Sequence, residues 1–412
     1  MAAHRVSGDP LEPIDPLKPI DPLAPLSQAL ARLPKERRRG LRGFSPCGPG
    51  MLRATDPAGA AVLLDLASND YLGLGGHARV RAAARAAIEA VGVGAGASRL
   101  ISGSRPVHAE LEERLAAWLG RHTVLLFPSG FQANLAAVVA LADRRSLVLA
   151  DRLIHHSLLV GVQASGAALE RFRHNDSADL ERRLQRQRRQ DPRRRLLVIT
   201  ESLFSMEGTS PDLTAITALC QAHGALLLVD EAHALGVLGP GGRGLAFGLK
   251  GISLISGTFG KAFGSGGAFL TGDGPVGDWL LQSSGAFRYS TALAPPLAAA
   301  ALAALDLIEA DPAMGLALQF RAMRWRDRLE QAGWCRPAGT GPILPLPVGG
   351  EAAAMALQRQ LEHGGLLSVA IRPPTVPAGG ARLRLVLRRD LPPGSLSRLL
   401  VALGPPPGPA VA

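Results

Sequence analysis

Through the middle of the chain, short runs of leucine and β-branched residues each give way to a helix-like stretch, and few architectures tolerate that alternation. A strand buried on both faces reads as an unbroken apolar run, and such runs alternating with helices build a mostly parallel sheet covered on both sides. Strands are expected at 123–127, 146–150, 196–200, 225–229, 252–256 and 267–271. Helices are expected at 131–141 and 211–223, the second with Ser210 as N-cap and Pro211 at the first helical position, where a missing N–H costs nothing. From about Pro295 the order changes to long Ala/Leu helices, strands near 343–348, 366–371 and 381–387, and a last helix. The expected fold class is α/β: an N-terminal segment at 30–66, a large domain at 67–292 around the mostly parallel central sheet, and a smaller C-terminal α+β domain at 293–403.

The ends read differently. Residues 1–29 carry IDPL twice, at 14–17 and 20–23, with prolines too frequent for a helix or a central strand, and are expected to be a flexible tail. Residues 404–412 are Pro/Gly-rich and are expected to be disordered. At 412 residues, 47% hydrophobic and 19% charged, the chain has ample core for a soluble globular protein. No apolar run reaches the roughly 20 residues that span a bilayer, and no export signal opens the chain, so a cytoplasmic protein with no membrane partner is expected. Cys47, Cys220 and Cys335 are odd in number and far apart, which argues against a disulfide framework and against a zinc site, so no metal is expected.

The formal charge of +11 is almost all arginine, because Lys18, Lys35, Lys250 and Lys261 are the only lysines. The densest basic run, ERRLQRQRRQDPRRR at 181–195, has three readings: a nucleic-acid footprint, a solvated helix and loop, or a docking face for an anionic thioester donor. No aromatic residue interleaves the arginines to stack on bases, so no nucleic-acid partner is expected; the solvated face is the simplest reading and the docking face stays open.

Three stretches carry chemistry. ALLLVDEAH at 225–233 is an apolar strand that ends in Asp230 and His233, and in open α/β sheets ligands bind outside the carboxyl ends of the strands. SGTFGKAFG at 256–264 embeds Lys261 among glycines just after another strand. A phosphate-binding loop would need Gly where Ile255 stands and Ser or Thr where Ala262 stands, so that pattern fails. A Schiff-base lysine instead needs close backbone approach and a site that lowers its amine pKa, which glycines and a buried strand end supply; Lys250, at a turn beside Gly251, is the one competitor. PSGFQAN at 128–134 follows a strand and opens a helix, so the backbone N–H groups of Gly130 and Phe131 are suited to an anion such as a phosphate.

Taken together with SNDYLGL from Ser68, GAGASRLISG from Gly94, DRLIHHSLL from Asp151, HND at His174, ESLFSMEG from Glu201, DEAHALGVLG from Asp230 and YST at Tyr289, these stretches resemble the α-oxoamine synthases. These are fold-type-I enzymes dependent on pyridoxal 5'-phosphate (PLP), and the resemblance runs from about Leu64 to Leu387. AIRPPTVPAGGARLRL at 370–385 is most similar to the branch of biotin biosynthesis. The resemblance implies a PLP-dependent acyltransferase that condenses L-alanine with pimeloyl-CoA or a pimeloyl acyl-carrier protein, releasing CO2 and the thiol, and works as a homodimer. Siblings of the glycine C-acetyltransferase or 5-aminolevulinate synthase type, and a basic nucleic-acid-binding protein that has lost catalysis, are the rivals; Lys261, Asp230 and His233 argue against the last.

The same resemblance implies residue roles. Lys261 would hold PLP and act as base, Asp230 would keep the pyridine nitrogen protonated, His233 would bond the ring oxygen and His155 would stack on the ring. Ser205 would line the cofactor, and Thr258 with the Gly130 and Phe131 amides would hold its phosphate. Asn69 and Arg372 would take the substrate carboxylate, Thr375 would line the acyl site, and Arg42, with Arg39 fitting almost as well, would contact the acyl substrate. Ala234 stands where relatives have Gly.

Overall fold

The computed structural model describes residues 21–34, 37–55 and 61–406. The chain divides into two compact units, 1–41 and 42–412. In the first unit the described residues include a helix, Ala24–Arg32, where a tail was expected. The reason is positional: Pro25 sits in the first turn, where its fixed φ suits a helix and its missing N–H breaks no bond. Residues 1–20, with the first IDPL copy, and 407–412 lie outside the described residues. Gly404 continues the fold past the last helix, its carbonyl accepting from Trp334 Nε1 at 3.1 Å.

The second unit opens with three antiparallel strands, β1 (Phe44–Gly48), β2 (Met51–Ala54) and β3 (Val62–Asp65). The central strands follow: β4 (Thr123–Phe127), β5 (Leu147–Asp151), β6 (Ala168–Phe172), β7 (Leu196–Glu201), β8 (Leu226–Asp230), β9 (Leu254–Thr258) and β10 (Ala268–Gly272). They form one sheet in the order β4-β10-β9-β8-β7-β5-β6, in which β10 alone runs antiparallel to both neighbours. Side chains alternate between two cores, Val148, Leu197 and Leu228 on one face and Leu149, Val198 and Val229 on the other. Burial on both faces is what makes these strands read as unbroken apolar runs. The edge strand β6, ALERF, is mostly exposed and carries Glu170 and Arg171, so no apolar run marked it.

Toward the C-terminus come β11 (Ile343–Gly349), β12 (Leu366–Leu367), β13 (Val369–Ile371) and β14 (Ala381–Val386). The expected strand at 366–371 is two strands in two sheets. β12 lies parallel to β3, whereas β13 pairs with β14, which also pairs with β11, and buried Ser368 is the crossing point. The helix expected at 211–223 is Leu213–Ala222, and its N-cap is Asp212, not Ser210. The Asp212 carboxylate accepts from Ala215 N at 2.9 Å, the three-residue reach a cap requires, which leaves Pro211 outside the helix. Among the described residues no helix is long and apolar enough to cross a membrane.

Candidate active site

β7, β8 and β9 run parallel, so their last residues, Glu201, Asp230 and Thr258, come out side by side at one edge of the sheet. Lys261 follows in the turn after β9, His233 in the loop after β8, and His155 is the N-cap of the helix His156–Ser165. The helix Gly130–Leu141 starts beside them, with Ser129 as its cap. All of these except Ser129 line one cavity of about 220 Å³, together with Phe131, Asn134 and Ala232. A larger cavity of about 710 Å³ lies around Phe320 and Trp325, but no acid, lysine or histidine lines it.

Lys261 is the chemical centre. Withdrawal from water pushes its amine down to about 8; Asp230 and Glu201 pull the other way, and Arg384 reinforces the drop. Asp230 is buried and accepts from Asn134 Nδ2 and Ala232 N, each at 2.8 Å, so its carboxylate is clamped in one orientation. Asn134 in turn bonds Ser157 Oγ at 2.9 Å. The Glu201 carboxyl accepts from His155 N at 2.6 Å, and burial beside Asp230 holds its pKa well above the usual range. Removal from water lowers the pKa of His155, with Lys261 acting in the same direction and Asp230 against it.

Behind the cavity, the buried Tyr71 hydroxyl meets His233 Nδ1 at 2.5 Å. Burial pushes the Tyr71 phenol up to about 12 and the His233 imidazole well below its ordinary value, Lys261 and Arg384 adding to the latter. Arg384, on β14, donates through Nη2 to Asn69 Oδ1 at 2.9 Å and through Nε to the Ser205 carbonyl at 2.6 Å.

The expected residues therefore divide. Lys261, Asp230, His233, His155, Gly130, Phe131 and Thr258 meet in the cavity. The Thr258 hydroxyl already donates to the Gly267 carbonyl at 2.9 Å. Ser205 does not line the cavity; its carbonyl holds Arg384. Arg372 Nη1 lies 3.2 Å from Met355 Sδ and 3.4 Å from the Ala370 carbonyl, and the arginine that bonds Asn69 Oδ1 is Arg384. Thr375 is exposed on the following turn. Arg42 forms a two-pronged pair with Glu362, at 3.0 and 2.5 Å, and is not a lining residue. Arg39 belongs to the other unit. Glu201, Asn134, Tyr71 and Arg384 had no assigned role in the sequence reading. For Arg384 a signal existed: a charged residue in the middle of ARLRLV, a strand otherwise buried, has to face something polar.

The aminotransferase class I and II family matches residues 61–403. The chain belongs to the class I and II aminotransferase family. Within that family it is 42% identical over 377 residues to the 8-amino-7-oxononanoate synthase of Anaeromyxobacter dehalogenans, covering 89% of this chain and 94% of that protein. It is 45% identical over 329 residues to the enzyme of the same name from Acidithiobacillus ferrooxidans, covering 79% and 83%. Among solved structures, a serine palmitoyltransferase of S. paucimobilis with bound PLP and myriocin superposes with a TM-score of 0.85 at 26% identity, over 93% of this chain and 98% of that one. Likeness to such family members over nearly the whole second unit places the fold-type-I architecture beyond the level of motifs.

Proposed function

We propose that this chain is a PLP-dependent acyltransferase that condenses L-alanine with a pimeloyl thioester, giving 8-amino-7-oxononanoate, CO2 and free thiol, a step of biotin biosynthesis. The observation that carries the reading is the amine of Lys261, lowered to about 8 and facing clamped Asp230 in one cavity, in a chain 42% identical to a synthase of that name.

The residues present fit PLP. The helix Gly130–Leu141 offers first-turn N–H groups with no intrahelical acceptor for a phosphate. A carboxylate stands ready for a pyridine nitrogen, and a lysine for an aldehyde. When bound, PLP supplies the electron-withdrawing ring that stabilises negative charge at the amino acid's α-carbon.

This chain's own groups do the rest. Lys261 would hold the cofactor, and its Nζ would serve as the base for the α-proton; an amine near 8 is free often enough to do so at neutral pH. Asp230, oriented by Asn134 and Ala232, would hold the proton at the pyridine nitrogen. His155 and His233, which line the same cavity, would hold the cofactor ring, His155 against its face and His233 at its oxygen. Asn69 and Arg384 orient the substrate carboxylate that is later lost as CO2, Arg384 being held for this by Ser205. Thr258, whose hydroxyl donates to the Gly267 carbonyl, would help hold the phosphate at the start of the helix Gly130–Leu141.

The chain further acts as a cytoplasmic homodimer. Arg42 and Thr375, which do not reach the cavity described, serve the acyl chain from the rim. The test is a competition assay with pimeloyl-CoA and L-alanine, glycine or L-serine, following thiol and CO2 release. Alanine should win by at least about tenfold in kcat/KM, the worth of one methyl group in a fitted pocket. Preference for glycine or serine would move the chain to a sibling reaction.

A further inference from the structure

We propose that Tyr71 is a positioning residue that fixes the tautomer of His233, so that His233 presents its Nε2–H, and not a bare nitrogen, to the cavity. The contact is short, 2.5 Å from Tyr71 Oη to His233 Nδ1, and it is buried, with Tyr71 fully enclosed and His233 7% exposed. Two wirings satisfy that distance: the hydroxyl donates to Nδ1, or Nδ1–H donates to the hydroxyl.

The surroundings choose the first. The Arg384 guanidinium, whose Nη2 and Nε bond Asn69 Oδ1 and the Ser205 carbonyl, adds a positive charge near the phenol. The Tyr71 proton has two acceptors in reach, Asn69 Oδ1 and His233 Nδ1. Asn69 Oδ1 is 3.4 Å away and already takes Arg384 Nη2 at 2.9 Å, which leaves Nδ1 as the better partner. The phenol keeps its proton because burial pushes its pKa up to about 12, and the imidazole stays neutral because burial, Lys261, Arg384 and His155 all lower its pKa. A neutral imidazole that accepts at Nδ1 carries its proton on Nε2. That nitrogen has no hydrogen-bond partner among the described residues, and His233 lines the cavity.

The result is a directed bond, Tyr71 O–H to His233 Nδ1, beside the Arg384–Asn69 pair, that sets a donor in the cavity. That this donor serves a cofactor oxygen rests on the PLP reading; the tautomer itself does not.

The experiment is long-range proton–nitrogen NMR on the full-length protein with nitrogen-labelled histidine, without and with PLP, assigning His233 by its loss in His233→Gln. Wild type should show His233 neutral and protonated on Nε2, and Tyr71→Phe should lose that single state, the Nδ1-protonated form appearing. Tyr71→Phe should also hold PLP about threefold to tenfold more weakly, the usual worth of one hydrogen bond. An Nδ1-protonated His233 in wild type overturns the inference whether or not the variant folds, as does an unchanged tautomer in Tyr71→Phe. Borohydride reduction separates the two readings: failure to fix PLP on Lys261 sinks the cofactor assignment and leaves the tautomer result standing.

Discussion

Lys261 owes its chemistry to where it sits. An ordinary lysine titrates near 10.5, and burial brings this one to about 8. Below that value the free-amine fraction grows about tenfold per pH unit and above it levels off. Stopped-flow capture of PLP by the cofactor-free protein should therefore rise with pH and flatten above about 8; a rise continuing to 10 would mean an unperturbed amine. The sign for stability follows from the same shift. Between about 8 and 10.5 the unfolded chain binds the extra proton, so Lys261 makes the cofactor-free protein gain stability as pH rises through that window. Lys261→Ala removes that gain, and its denaturation midpoint should be flatter across the window than that of wild type. The same variant should fold, retain PLP only loosely and turn over nothing; turnover near wild type would remove Lys261 from the role of base. The sequence exposed this residue because four lysines leave few candidates. It hid Arg384, one of many arginines, because which arginine reaches Asn69 depends on strand register and not on spacing along the chain.

At the scale of elements, legibility followed burial. Strands enclosed on both faces announced themselves, β4 with its bounds unchanged, because both side-chain sets are apolar. The exposed edge strand β6 did not, nor did the break at Ser368 between β12 and β13, since a pair of leucines and Val-Ala-Ile read as one run until their partners are known. Caps fall between these cases. Asp212→Ala should cost about 1 kcal/mol of unfolding free energy and Ser210→Ala close to nothing, measured by urea denaturation; the reverse order would restore the cap expected from the sequence. The turn that carries Lys261 is set by Gly264, with φ of 61° and a missing Cβ that would lie 2.1 Å from Gly75 N. Neither the backbone angle nor the neighbouring backbone accommodates a methyl group. Gly264→Ala should therefore destabilise the protein by at least about 2 kcal/mol and weaken PLP retention, because the Lys261 turn has to shift. Normal stability with normal PLP binding would show that the turn tolerates another path.

Across the whole second unit, the sheet separates its chemistry from its densest charge. Arg195 immediately precedes β7, and Glu201 ends it at the cavity. Six residues of strand at about 3.3 Å each put the two edges about 20 Å apart, about two and a half times the roughly 8 Å Debye length at physiological salt. Much of the basic run is also occupied locally. Arg182 and Arg183 pair with Asp179, Arg186 pairs with Glu170, and Arg188 bonds the carbonyls of Pro192, Arg194, His223 and Gly224. This favours the solvated-face reading over a docking face for the thioester donor, since a charge on the far edge is screened before it can steer an anion to Lys261. Neutralising two exposed members, Arg193→Gln with Arg195→Gln, should leave the KM for pimeloyl-CoA within about twofold of wild type at physiological salt. A KM raised severalfold at low salt and restored toward wild type by added salt would instead make the 181–195 run part of how the donor arrives. The anionic donor would then have to reach the cavity around the sheet edge, and the positive field of the whole chain, formally +11, would have to be counted in its capture.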